Sequence, residues 1–243
     1  MEKDDSVPAA ESQEGTIEPF KHVHQEYVSG GVKYPSVTEV LAVVNKPYLV
    51  PWANRLGREG IDSNAITNRS ASIGTLAHAL IQGYLTRRRV SVEGYHPSHI
   101  EPAKNAFQSY MLWAGKEKPA LEESELSLLS PHLGYGGTID AVFIIGGERV
   151  LVDFKTSRSI HKEYFAQLAA YVQLYTLTQG RQAVTKPINR AMILQLGTGP
   201  KPQYTVSTLR NYAYYLEYFG CAYDMYKVLS RLDSMEMELT HVE

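Results

Sequence analysis

The stretch Gly136-Gly137-Thr138-Ile139-Asp140, followed by Ala141-Val142-Phe143-Ile144-Ile145, Gly146-Gly147 and Glu148-Arg149-Val150-Leu151-Val152-Asp153-Phe154-Lys155, decides how this chain folds. Two apolar runs divided by a Gly-Gly dipeptide read as a β-hairpin. With Gly146-Gly147 as the two-residue loop, Ile145 pairs with Glu148. Counting outward then sets Asp140 directly across from Asp153. Opposed residues carry their Cβ atoms about 4.5–5.5 Å apart on the same sheet face. Lys155, two residues beyond Asp153, shares that face. Like charges set opposite each other destabilise a hairpin unless something compensates them. A divalent cation would do so, and hard oxygen ligands suit Mg²⁺ or Mn²⁺ better than zinc. The plain alternative is a pair of strand-end carboxylates in water, with Lys155 paired to one of them. The flanks weigh against it. Val150, Val152 and Phe154 on one face, with Val142, Ile144 and Leu151 on the other, imply strands covered on both sides, and carboxylates on such strands need partners.

Working outward, Leu121–Ser130 reads as a strand leading into the hairpin, with Glu122, Glu123 and Glu125 on it. Ser72 to Leu85 carries Ile73, Leu76, Ala77, Leu80, Ile81 and Tyr84 on one helical stripe, with His78 at its edge. His99–Lys116 reads as a helix, and so does the segment from about His161 to Leu177. Arg190–Leu196 and Gln203–Ser207 are expected strands, and a tyrosine-rich helix runs from Leu209 to Leu232. Near the start, Val23–Val28 and Val32–Tyr34 flank Ser29-Gly30-Gly31 as a small hairpin. Ser36 and Glu39 then form a capping box that opens a helix ended by Pro47. A further helix is expected from Pro51-Trp52, continuing irregularly through the sixties past Gly57 and Gly60. His22 and His24 have no partner motif and are read as surface residues. Helices, three strands, helix, two strands, helix is a mixed α/β order.

Composition sets the outer limits. The 243 residues, 44% hydrophobic and 21% charged, suit one domain with a sizeable core. Residues 1–20 are expected to be a disordered tail. Residues 21–235 then form a single domain, with a helical part over about 35–118 and an α/β core over about 119–235. No apolar run reaches the length of a membrane span, which excludes a membrane partner of that kind. The lone Cys221 excludes an internal disulfide and any four-cysteine metal or iron–sulfur site within the chain. It fits an intracellular setting. A net charge of −2 gives no general basic signature, so nucleic-acid contact would fall to local clusters such as Arg87-Arg88-Arg89, Arg55 with Arg58, and Lys201, or to a metal.

Three elements taken in order resemble the RecB-type branch of the PD-(D/E)XK nucleases. They are Gly74-Thr75-Leu76-Ala77-His78, then Gly137-Thr138-Ile139-Asp140 with Asp153-Phe154-Lys155, then Gln167-Leu168-Ala169-Ala170-Tyr171. Tyr34-Pro35-Ser36-Val37-Thr38 is similar to the opening of the phage-type and mitochondrial genome-maintenance exonucleases in that branch. The resemblance implies a restriction-endonuclease-like core, with a central mixed sheet flanked by helices, and a Mg²⁺- or Mn²⁺-dependent deoxyribonuclease without an iron–sulfur cluster. It assigns Asp140, Asp153, the Phe154 carbonyl and His78 to the metal. Lys155 would orient or deprotonate the attacking water, and burial beside a metal would lower its pKa. Gln167 would position the lysine, substrate or water, supported one turn along by Tyr171, and Glu125 would match an acidic position on the preceding strand. The implied substrate is DNA, single-stranded or at ends, in replication, repair or recombination. A separate helicase, recombinase or single-strand-binding protein would supply any partner activity, in the cytoplasm of a prokaryotic or virus-infected cell. RNA or branched DNA as substrate, or a non-catalytic nucleic-acid-binding module on the same fold, are the alternatives.

Overall fold

A computed structural model describes residues 26–179 and 186–239, with the side chains of 236–239 left aside. The tail over 1–20, His22, His24 and the first residues of the expected hairpin at Val23 lie outside the described residues. The Gly-Gly hairpin organises the rest. Strand β4 (Tyr135–Ile145) and strand β5 (Glu148–Lys155) turn at Gly146 and Gly147, whose φ values of 59° and 85° need glycine. Their register runs from Ile145↔Glu148 to Ala141↔Val152, as counted from the sequence. Strand β3 (Ala120–Ser130) pairs antiparallel to β4 on its other side.

The sheet is completed by β6 (Arg190–Leu196), parallel to β5, and β7 (Tyr204–Thr208), antiparallel to β6. The strand order is β3-β4-β5-β6-β7. A parallel pair needs a crossover; helix α5 (Lys162–Thr178) lies between β5 and β6 in the chain and starts seven residues after Lys155 ends β5. Alternation along the strands sends side chains to two cores. Val142, Leu151 and Ile193 meet Leu168, Tyr171 and Leu174 of α5 on one face. Phe143, Val150, Val152 and Phe154 meet Leu76, Ile81, Tyr110 and Trp113 on the other. The result is a five-stranded mixed sheet between helices, the fold class expected.

The helices before the sheet divide between its faces. Helix α1 (Val37–Ala42) joins the α5 side through Val37, Val40 and Leu41. The Ser36–Glu39 capping box is present in full: Ser36 Oγ accepts from Glu39 N, and the Glu39 carboxylate accepts from Ser36 N. This helix stops at Ala42, before Pro47, and Val43 and Val44 beyond it still pack against the same core. Helix α2 (Leu49–Arg58) starts two residues earlier than expected and has no buried residue. Helix α3 (Ser63–Thr86), capped by the Asp62 carboxylate, is nine residues longer at its start than the apolar stripe indicated. Helix α4 (Pro97–Glu117) packs beside α3. A small hairpin, β1 (Tyr27–Ser29) with β2 (Val32–Tyr34), precedes α1. The final helix, α6 (Tyr212–Leu239), starts three residues later than expected and covers the α5 side with Phe219 and Ala222, helped by Tyr215, Tyr218, Tyr223 and Tyr226. Those four tyrosines are packing residues, whereas Tyr214 is 74% exposed.

Candidate active site at the end of the β4–β5 hairpin

The regular ladder stops at Ala141↔Val152, one step before the two aspartates. There the Phe154 N–H donates to Asp140 Oδ2 at 2.7 Å, so a carboxylate takes over from the backbone on that edge. Asp153 is 2% exposed, and its Oδ2 holds the Lys155 ammonium at 2.7 Å. From the opposite layer, His78 on α3 reaches the same end of the sheet. Its Nε2 lies 3.0 Å from the Phe154 carbonyl oxygen, and its Nδ1 lies 3.5 Å from Asp140 Oδ1. With both nitrogens protonated, the ring would donate from Nε2 to that carbonyl and from Nδ1 toward the Asp140 carboxylate.

On the other side of Asp140, Ser124 pairs with Ala141 and Leu126 with Ile139, which leaves Glu125 level with Asp140. Glu125 has φ 50°, a left-handed backbone that an L-residue adopts at a cost of the order seen at functional sites. Its neighbours have other roles. The Arg149 guanidinium donates from Nε and Nη2 to the Glu122 carboxylate, lowering that carboxyl's pKa, and Glu123 is exposed. Glu125, Asp140 and Asp153 therefore sit side by side on three adjacent strands.

The charges interact as that row demands. Burial pushes the Glu125 carboxyl up, the Asp140 charge adds to it, His78 pulls back, and the pKa reaches about 7. Burial also raises Asp153; Lys155 opposes this and Asp140 reinforces it, giving about 6. For Asp140, burial is outweighed by His78, Lys155 and the Phe154 N–H, so its pKa falls. The His78 ring is lowered by burial but raised more by Asp140. One carboxyl goes down while its two neighbours go up, as expected for like charges sharing one site.

Lys155 is shifted upward in the metal-free site. Burial lowers its pKa, but Asp153 and Asp140 outweigh burial and the net shift is upward. The expected lowering was for a lysine beside a bound metal; without one, the Asp153 and Asp140 carboxylates outweigh burial. In this arrangement the ammonium is charged, which suits it to stabilise negative charge and not to accept a proton.

Helix α5 supplies the next group of side chains. Gln167 and Tyr171 share a face, and Gln167 Nε2 donates to Tyr171 Oη at 2.8 Å between buried groups. The amide is thus given to the tyrosine. The α5 residue against Lys155 is Tyr164, whose ring centre lies 5.0 Å below the ammonium. Sequence reasoning missed Tyr164, although 164, 167 and 171 follow the i, i+3, i+7 spacing of one helical face. Burial, then the Asp153 charge, holds the Tyr171 hydroxyl neutral, well above its usual range.

Two motif glycines let these parts approach. A Cβ on Gly137 would lie 2.6 Å from Tyr171 Cε1 and 3.3 Å from Leu174, and one on Gly74 would lie 3.2 Å from Thr156 Oγ1. Gly137 therefore admits the Tyr171 ring against β4, and Gly74 seats α3 beside the residue after Lys155. The Tyr34-Pro35-Ser36 segment is also tied in: Gly136 N donates to the Pro35 carbonyl at 3.0 Å. The basic clusters stay peripheral, with Arg55 and Arg58 in the last turn of α2 and Arg87 at the left-handed end of α3.

Among the described residues, no group of three or more His, Cys, Asp or Glu side chains is placed to hold a metal ion. Asp140 is engaged by His78 and Phe154 N, and Asp153 by Lys155. The donors themselves are two carboxylates and a carbonyl, a hard-oxygen set. Asp153 Oδ2 is buried and already held by the Lys155 ammonium, so a cation there would have to share or displace that contact.

No protein-family model matches the sequence, and comparison with curated proteins finds no match. Among solved structures, the chain is similar to a protein from Eubacterium rectale that carries a provisional exonuclease designation. That likeness has 12% identity and a TM-score of 0.46, and covers 68% of each chain. The chain is also similar to an alkaline exonuclease from Laribacter hongkongensis, with 12% identity and a TM-score of 0.37 over 72% of this chain and 92% of that one. Among the described residues, no helix is long and apolar enough to cross a membrane.

Proposed function

We propose that this chain is a Mg²⁺- or Mn²⁺-dependent deoxyribonuclease of the PD-(D/E)XK type, an exonuclease acting on single-stranded DNA or DNA ends in replication, repair or recombination. The observation that carries the reading is the meeting of Asp140, Asp153 and Lys155 at one end of the β4–β5 hairpin, with Glu125 level with Asp140 on the next strand. Asp140, Asp153 and the Phe154 carbonyl would hold the cation, with the Nδ1 side of His78 turned toward it. When bound, the cation supplies Lewis acidity to a phosphodiester oxygen and activates water for attack. The chain's own groups do the rest. Lys155 stabilises charge gathering on the phosphate. Glu125, with a pKa of about 7, exchanges a proton near neutrality. Gln167 and Tyr171 fix the wall behind Asp153. A separate motor or recombination partner and an intracellular setting belong to the same proposal.

One observation favours a second reading, a nucleic-acid-binding module that does not cleave: the Lys155 ammonium sits on Asp153 Oδ2, where a cation would bind. Incubating end-labelled single- and double-stranded DNA with Mg²⁺ or Mn²⁺ separates the two. Metal-dependent shortening that disappears in Lys155→Ala is the expected result. Tight DNA binding without cleavage under either metal would establish the binding module instead.

A further inference from the structure

Running outward from Lys155 is a series of aromatic rings that the hydrolytic reading does not use. The Lys155 ammonium lies 5.0 Å over the Tyr164 ring. Tyr164 meets the His161 ring edge to face, with centroids 5.5 Å apart at 75°. His161 stacks in parallel on Tyr48, with centroids 5.1 Å apart and planes 2° apart. The rings come from two segments distant in sequence: Tyr164 and His161 from the start of α5, and Tyr48 from the residue before α2.

Tyr164 packs against the α5-side core, but core packing does not account for the outer two rings. His161 and Tyr48 both occupy N-cap positions, yet neither side chain makes a cap hydrogen bond. Tyr48 is 45% exposed, and α2 buries no residue against the body. Core packing therefore does not place the Tyr48 ring; its parallel contact with His161 does. Ammonium groups flank the series. Lys155 closes its inner end, and exposed Lys162, next to His161, lies 5.2 Å over the Tyr218 ring. Glu163, which Tyr218 Oη meets at 3.5 Å, is the acidic neighbour of the series; rings beside ammonium groups suit a track that stacks bases while those charges follow phosphates. Inside a duplex both faces of a base are covered by its neighbours, so such rings can take successive bases only from an unpaired strand.

We propose that Tyr48, His161 and Tyr164 form a stacking platform for the bases of single-stranded nucleic acid, leading its backbone to Lys155. The inference rests on the nuclease reading and specifies the strand state of its substrate.

The test is equilibrium binding, by fluorescence anisotropy in EDTA, of a short labelled single strand, the same strand with abasic residues, and its duplex. Tyr48→Ala should weaken binding of the ordinary strand about tenfold, and Tyr48→Phe should restore it. The abasic strand and the duplex should not distinguish the variants. Equal affinities of wild type and Tyr48→Ala for the ordinary strand, equal losses on the abasic strand, or no single-strand binding by the wild type would each overturn the platform. Cleavage assays on the same strands separate this from the parent reading. Lys155-dependent cleavage with binding indifferent to Tyr48 keeps the nuclease and removes the platform; base-dependent binding through Tyr48 without cleavage does the reverse.

Discussion

The hairpin end and the helix α2 are built to opposite rules. Around Asp140 and Asp153 almost every position is over-determined: Val150, Val152 and Leu151 are fully buried, and glycines are needed for rings to approach. Helix α2 buries nothing, and the first turns of α3 that follow it are exposed. A hydrolytic site needs its charges fixed before substrate arrives, while a surface that meets a flexible strand can tolerate adjustment. Under the proposed function, chemistry would be lodged in the sheet and contact with the polymer would fall to the helices before it.

The largest effects should come from the hairpin charges. Lys155→Ala and Asp153→Asn are each expected to lower cleavage about 10²–10³-fold or more while circular dichroism shows the fold retained; near-normal turnover in both would break the comparison at its firm end. His78→Ala should weaken Mn²⁺ affinity about tenfold or more, read by calorimetry, and unchanged affinity would confine His78 to bracing Asp140.

Next in size is a packing effect. Gly137→Ala drives a methyl into the Tyr171 ring and should cost about 1–3 kcal/mol in denaturant unfolding. No loss would mean that α5 can slide on β4, and that the site is looser than described.

A third prediction concerns pH. Glu125 and Asp153 have folded pKa values of about 7 and about 6, above the ordinary 4.5 and 3.8. The folded protein therefore binds protons that the unfolded chain has already lost, so stability falls as pH rises from about 4.5 to about 7. His78, raised in the folded state, acts in the same direction; Asp140, lowered, matters only in stronger acid. The metal-free protein should melt at a higher temperature at pH 5 than at pH 7.5, and Mg²⁺ or Mn²⁺ should restore stability at pH 7.5. A melting temperature that climbs with pH in EDTA would contradict the charge assignments.

The smallest effect belongs to α2. Val50, 65% exposed, should accept Val50→Ser with a change within about 0.5 kcal/mol. A larger loss would show that this helix is anchored after all, and the comparison would dissolve.

The sequence made some of this legible for identifiable reasons. A strand period of two and a two-residue loop leave one register, so the opposition of Asp140 and Asp153 followed by counting. The Ser36 capping box is a local motif and formed as read. The start of α3 was hidden because residues 63–71 bury nothing, so no apolar stripe marks them, although Asp62 was there as a cap. The lowering of the Lys155 pKa was expected from burial beside a metal, whereas in the metal-free site Asp153 and Asp140 raise it. Tyr164 was missed because its role depends on a lysine nine residues earlier being folded onto its ring.

The left-handed backbone at Glu125 bears on how the chain would respond to selection. Glycine or asparagine would occupy that conformation more comfortably, and either would remove a carboxyl from a crowded row. A library of variants sorted only for heat resistance should therefore drift to Gly or Asn at position 125, and the survivors should be the ones that no longer cut.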